Sequence, residues 1–243
     1  MTTPMSTKEY ARPELLVDTD WLAQNLDAPD VRIVDCEPFP EYRRAHIKNA
    51  VGISVHHYIK HPDYASAPRD YPWVAEPDVV KGLMEEMGIG DDTLVIAYDS
   101  SGSLYAARFW WVLNYYGHTN ARVLNGGWRK WFDEGHPTSI DRPPEVSATF
   151  TPNANDAVLC TLDYGLSQVG KPETVFLDVR SDEEWEGSSD RGNRRAGHVP
   201  GAVHLEWTNF VSGDRYRTFK PADDLLDMLA AVGVTADKNV VTY

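Results

Sequence analysis

Cysteine is scarce in this 243-residue chain, which has two, Cys36 and Cys160. They are far apart and form neither a metal-ligand spacing nor a dithiol pair. Two such thiols build no disulfide framework, so a reducing compartment is the default and a cytoplasmic location the simplest expectation. Positive charge is also in deficit: 23 Lys and Arg face 37 Asp and Glu, a formal net charge of −14. That balance argues against nucleic acid or an anionic membrane as partner, while a small anion still responds to local charge in a pocket. No apolar run approaches membrane-spanning length, and MTTPMSTKEY at the N-terminus lacks the hydrophobic core of a signal peptide. What is present, 42% hydrophobic and 11% aromatic residues, is ordinary for a globular protein and suffices for two modest domains or one large one.

One stretch organises the rest. Leu94-Val95-Ile96-Ala97-Tyr98 is a short apolar run of the kind that forms a strand buried on both faces. Asp99-Ser100-Ser101-Gly102-Ser103 is a tight loop of turn-forming residues, and from Leu104 onward the apolar positions recur at helical spacing. A strand, small-residue loop and helix in this order turn backbone N–H groups inward over the positive end of the helix, which makes an anion cup. A cysteine at the first loop position would have its thiol pKa lowered there. Here that position is Asp99, which is no sulfur nucleophile, and its carboxylate is expected to leave the cup empty of bound oxyanion.

Around this stretch, strands alternate with helices. Asp18 or Thr19 caps a helix through Leu26. Val31–Cys36 is a strand, Pro38 and Pro40 end regular structure, Glu41–His46 is a short polar helix, and Ala50–Ile53 is a second strand. A connection over 55–74 precedes a helix from Pro77 to Met87, stopped at Gly88. Ala121–Leu124 is a last strand, and Asn125-Gly126-Gly127-Trp128 turns into a helix reaching Glu134. This order predicts an α/β fold with a parallel sheet wrapped on both faces. His46, His56, His57 and His61 invite a metal reading, but no cysteine or carboxylate completes a known spacing, so neither metal nor cofactor is expected.

The pattern then repeats. Residues 137–156, rich in Pro, Ser and Thr, read as a linker between a domain at 12–136 and another at 157–243. Thr174–Arg180 matches the strand ending at Asp35-Cys36, and Gly197–Val203 matches Ala45–Val51. Pro221–Ala231 matches the helix from Pro77, and Asp237–Tyr243 lines up with Asp92–Tyr98. The second copy adds a polar insertion, Glu186–Arg194. Repeats of this length are two copies of one domain.

Leu177-Asp178-Val179-Arg180 followed by Gly197-His198-Val199-Pro200-Gly201-Ala202-Val203-His204-Leu205 resembles the rhodanese (thiosulfate and 3-mercaptopyruvate sulfurtransferase) family. Gly126-Gly127-Trp128 with Trp131 is similar to that family's other recurrent signature. The first-half counterpart is degenerate, with Lys48-Asn49 where the family has Pro-Gly. The resemblance implies two tandem rhodanese-like domains, each a mostly parallel sheet flanked by helices, the first non-catalytic with Asp99 in its loop. It also implies a ping-pong sulfurtransferase: a loop thiolate takes a sulfane sulfur from thiosulfate or 3-mercaptopyruvate, becomes a persulfide, and passes the sulfur to a thiophilic acceptor such as cyanide, a thiol or a protein. By register the nucleophile is the residue after Tyr243, so this sequence holds no catalytic cysteine. The second domain is expected to be incomplete, the sequence a fragment, and the chain as given inactive.

Several residues carry both a chemical and a structural reading. Arg180, Arg194 and Arg195 are candidates to bind an anionic sulfur donor; the first could equally form a buried ion pair with Asp178, and the others a solvated loop with Arg191. Asp99, Asp178 and His198 read as pseudo-site or structural residues, Asp99 as a cap on the loop and helix in preference to a site for a cation or an interdomain partner. Members of the family that use thiosulfate often carry an arginine where this chain has Glu184. Two further readings stand beside the enzyme: an inactive rhodanese-like binding or regulatory module, and a relative of phosphatases or arsenate reductases, which use a similar cup.

Overall fold

The computed structural model describes residues 10–53 and 74–243, so the readings of the N-terminal lead-in and of the 55–74 connection, with His56, His57 and His61, fall almost wholly outside it. The chain divides into two compact units, one formed by Arg12–Leu159 with Asp214–Thr218, the other chiefly by Cys160–Gly213 and Phe219–Tyr243.

In the first unit, β1 (Leu16–Val17) leads into α1 (Thr19–Gln24), whose N-cap is Asp18; its side chain accepts the Trp21 N–H at 2.7 Å. β2 (Val31–Asp35) follows, then α2 (Phe39–Arg44). Here the structure departs from expectation. Pro40 lies inside the first turn of α2, where the N–H it lacks has no intrahelical acceptor, so it starts the helix rather than ending regular structure. His46 is not helical but opens β3 (His46–Ile47), and β4 (Val51–Gly52) comes next. α3 (Pro77–Glu86) leads to β5 (Leu94–Tyr98), α4 (Leu104–Tyr115), β6 (Ala121–Leu124), α5 (Gly127–Asp133) and β7 (Thr138–Ser139).

The sheet runs β1-β6-β5-β2-β4 with every pairing parallel, and β3 and β7 form a separate antiparallel ribbon. All five residues of β5 are buried, as a central parallel strand requires. Successive side chains alternate between two cores. Val95 and Ala97 join Val80, Met84, Phe109 and Leu113 from α3 and α4, whereas Leu94, Ile96 and Tyr98 join Leu22 and Trp131 from α1 and α5. Each fully buried Leu, Ile or Phe contributes roughly 1.5–3 kcal/mol. Residues read as a linker pack on this unit: Phe150 is buried in the first core, and Thr151 donates its N–H and hydroxyl to Asp91 at 2.7 and 2.8 Å.

The second unit contains α6 (Leu162–Gln168), β8 (Thr174–Asp178), α7 (Asp182–Glu186), β9 (Val203–His204), α8 (Ala222–Ala231) and β10 (Asn239–Thr242). Among the described residues its sheet has the order β10-β8-β9, all parallel, which corresponds to β5-β2-β4. The correspondence reaches single hydrogen bonds. Cys36 N–H to Tyr98 carbonyl (2.9 Å) and Ile53 N–H to Asp35 carbonyl (2.8 Å) recur as Val179 to Tyr243 (3.1 Å) and Leu205 to Asp178 (3.0 Å). No helix among the described residues is long and apolar enough to cross a membrane.

Candidate functional site

The loop after β5 is a cup, and the buried carboxylate of Asp99 folds back into it, capping the loop and the helix that follows. One Asp99 oxygen accepts the N–H groups of Ser101 (2.7 Å) and Ser103 (2.9 Å), and the other those of Tyr105 and Ala106 (both 2.8 Å). These are the inward-turned donors an exogenous anion would have used. Burial pushes the Asp99 carboxyl up, against the pull of the backbone donors. Beneath the loop, the Gly126-Gly127-Trp128 turn closes on its backbone, with Trp128 N–H donating to the Asp99 carbonyl at 2.9 Å.

Beside the cup, Asp35 at the end of β2 is buried. Its carboxylate accepts the Tyr98 hydroxyl at 2.5 Å and the Glu37 N–H at 2.9 Å, and the same hydroxyl accepts the Ile47 N–H at 3.0 Å. Burial raises the Asp35 carboxyl to about 7. Glu37, also buried, accepts the Ser100 N–H. Asp35, Glu37, Glu41, Arg44, Ala45, Ser100 and Trp128 line a cavity of about 80 Å³ at these strand ends. Cys36 is enclosed, and burial together with Asp99, Asp35 and Glu37 pushes its thiol well up, so no thiolate is stabilised there.

The second unit repeats this frame with one decisive change. Asp178 occupies the place of Asp35, Tyr243 that of Tyr98, and the Tyr243 hydroxyl accepts the Val199 N–H at 2.9 Å. Where the first copy has Glu37, the second has Arg180. Its guanidinium grips Asp178 through Nε (2.9 Å) and Nη2 (2.5 Å), donates to the Gly197 carbonyl at 2.9 Å, and lies 5.2 Å from the Tyr243 ring centroid. Burial pushes Asp178 up, but the hydrogen bonds and charge of Arg180 outweigh it and hold the carboxyl below its ordinary value. His198 bonds through Nδ1 to the Trp185 carbonyl (2.9 Å) and stacks on the Trp185 ring at 3.5 Å, much as His46 bonds to the Tyr42 carbonyl (2.8 Å) and stacks on its ring at 4.1 Å. His204 joins this aromatic group, stacked 5.0 Å from Trp185 and hydrogen-bonded to the Arg180 carbonyl at 2.9 Å.

The structure thus joins Arg180 to Asp178. It leaves Arg194 and Arg195 on an exposed loop, without an ion pair among the described residues, while Arg191 pairs with Glu184 at 3.4 Å. No group of residues suited to a metal ion occurs among those described. Sequence reasoning passed over Asp35, Glu37, Tyr98, Trp185 and His204. Aligning Asp35-Cys36-Glu37 with Asp178-Val179-Arg180 position by position exposes the exchange of Arg for Glu.

Fold and site together define a duplicated α/β domain whose loop after the central strand of the first copy is built as an anion cup. The chain belongs to the rhodanese-like domain family, which matches residues 18–134 and 161–243. It is 33% identical to the sulfur carrier protein TtuD of Thermus thermophilus, over 96% of this chain and 83% of that protein. It is 28% identical to thiosulfate sulfurtransferase of Azotobacter vinelandii, over 97% of this chain and 84% of that one. In structure it is similar to the 3-mercaptopyruvate sulfotransferase SseA of Escherichia coli, with a TM-score of 0.82 and 24% identity over 94% of this chain and 87% of that one, a likeness of fold.

Proposed function

We propose that this protein is a rhodanese-type sulfurtransferase with a non-catalytic domain at 12–136 and a catalytic-type domain at 157–243. Its donor is thiosulfate or 3-mercaptopyruvate, and its acceptor a thiophile such as cyanide, a thiol or a protein. The observation that carries the reading is the repeated strand-end frame. Asp35, Tyr98 and Ile47 lead into the Asp99 cup, and Asp178, Tyr243 and Val199 recreate the approach to it. The sulfur-carrying thiolate is assigned to the position following Tyr243, the counterpart of Asp99. It would attack the sulfane sulfur, form a persulfide as sulfite or pyruvate leaves, and release that sulfur to the acceptor.

Arg180, engaged by Asp178, is given a positioning role, and Arg194 and Arg195 supply countercharge to the donor. Relatives named as sulfur carrier and thiosulfate sulfurtransferase support the assignment. The test compares the 243-residue chain with a protein extended past Tyr243 by a cysteine-led loop and its following helix and strand. Transfer from thiosulfate to cyanide is expected from the extended protein alone. Turnover by the short chain that Cys36→Ser abolishes would refute the placement of the nucleophile.

A second reading, a binding or regulatory module without turnover, is favoured by the self-filled cup at Asp99 and the enclosed Cys36. The same assay separates them, since a module stays silent in both forms.

A further inference from the structure

Three carboxyl groups meet at the ends of β2 and β5, and among the described residues no cationic side chain is bonded to any of them. Asp35, Glu37 and Asp99 are 2%, 8% and 2% exposed, and none enters an ion pair among the described residues. The second copy handles the same burial with Arg180. Three buried like charges without a cation cannot all be carried at neutrality, so one group keeps a proton. Burial pushes both Asp35 and Asp99 up, Asp99 against the pull of four backbone N–H groups. Asp35 and Glu37 both border the cavity of about 80 Å³ that Arg44 also lines, and of the two it is Glu37 whose carboxylate holds the loop, at the Ser100 N–H.

We propose that Glu37 is a proton-governed latch on the 99–103 loop: it clasps the Ser100 N–H while Asp35 carries a proton, and swings into the cavity toward Arg44 when Asp35 ionises. The surroundings of Asp35 divide: burial and the charges of Glu37 and Asp99 oppose its ionised form, while the Tyr98 hydroxyl and the Glu37 N–H favour it, and burial outweighs them. From the end of β2 come the Cys36 thiol and Glu37, and from the end of β5 the Tyr98 hydroxyl and Asp99. From α2 come Tyr42, Glu41 and Arg44, the last two already paired with each other. Ionised Asp35 therefore adds repulsion to Glu37 and Asp99, and Arg44, paired with Glu41, is the positive group lining the cavity that Glu37 borders. Burial places the Asp35 midpoint at about 7, so the latch works near neutrality.

The test is amide hydrogen exchange at Ser100 in the 243-residue protein, corrected for intrinsic base catalysis. The corrected rate should rise about tenfold between about pH 6 and about pH 8 and level off above, since opening is linked to one ionisation. Asp35→Asn should flatten the profile, and Glu37→Ala should leave Ser100 fast at every pH. A flat profile in the unsubstituted protein, a rise that survives Asp35→Asn, or slow exchange in Glu37→Ala overturns the latch. Should Asp35→Asn not fold, the carbon-13 carboxyl titration of Asp35 in the unsubstituted protein decides: a midpoint near neutrality supports the latch and one in the ordinary carboxylate range overturns it.

Discussion

A Cβ placed on Gly127 would stand 1.9 Å from the carbonyl oxygen of Asp99, so the turn after β6 and the loop after β5 are in backbone contact that only glycine permits. Gly127 also has φ +52°, in the left-handed region. The expected outcome of Gly127→Ala is a loss of roughly 3 kcal/mol, since overpacking and strain add at one site. Urea denaturation followed by the fluorescence of Trp128 and Trp131 measures it. A loss below about 1 kcal/mol, the ordinary scale of a glycine substitution, would mean that the two loops yield to each other.

The second prediction concerns the self-filled cup. Asp99→Gly removes the acceptor of four N–H groups, those of Ser101, Ser103, Tyr105 and Ala106. The variant should lose roughly 3 kcal/mol, less than four separate bonds because water enters the emptied cup. Sulfate should then restore part of the loss, because a ligand that binds only the folded state stabilises it by mass action. Melting temperature against sulfate, with chloride at equal ionic strength as control, is the measurement. Equal response of the variant and the unsubstituted protein would show that no cup was uncovered.

The legible part of this fold was the part written in local pattern. β5 announced itself because a strand buried on both faces needs an unbroken apolar run, and the cup followed from five small loop residues after it. The β3–β7 ribbon was not legible: its two-residue strands pair His46 with Ser139 across most of the first unit, and no local period encodes that. Pro40 was misread because proline is compatible with both a helix start and a break. Asp99 was legible as a cap because it opens a small-residue loop before a helix, but only geometry shows its two oxygens each taking two backbone N–H groups. Arg180 was placed between two roles, and its bonds to Asp178 and Gly197 show which contacts hold it.

The two thiols should behave as opposites. Cys36 is enclosed and its thiol is pushed well up by burial, whereas Cys160 is exposed, with its thiol raised more modestly by partial burial. A maleimide or disulfide reagent near pH 8 should therefore modify one thiol per native chain and both in denaturant. Peptide mapping should place the native adduct on Cys160. Prompt labelling of Cys36 in the native state would contradict the packing of the first core.

The last prediction turns on Arg180 and Asp178, whose nitrogens and oxygens form a two-point contact at 2.9 and 2.5 Å. The folded-state pKa of Asp178 is held below its unfolded value. A depressed carboxyl contributes stability that is present above the unfolded pKa, near 4, and is lost as pH falls through the folded one. Arg180→Met removes the opposing charge and leaves burial to act alone, so the Asp178 pKa rises in the variant. At neutral pH the variant then holds an unpaired buried carboxylate and should be less stable by roughly 3 kcal/mol, discounted from the fully buried case because Arg180 is half-buried. At lower pH the Asp178 of the variant takes up a proton and the penalty fades. The gap between the two proteins should therefore be widest near pH 7 and shrink toward about pH 4. Urea unfolding of the second unit at both pH values measures it, and a gap of the same size at each would show that Arg180 acts through packing on Tyr243 and Gly197 rather than through charge.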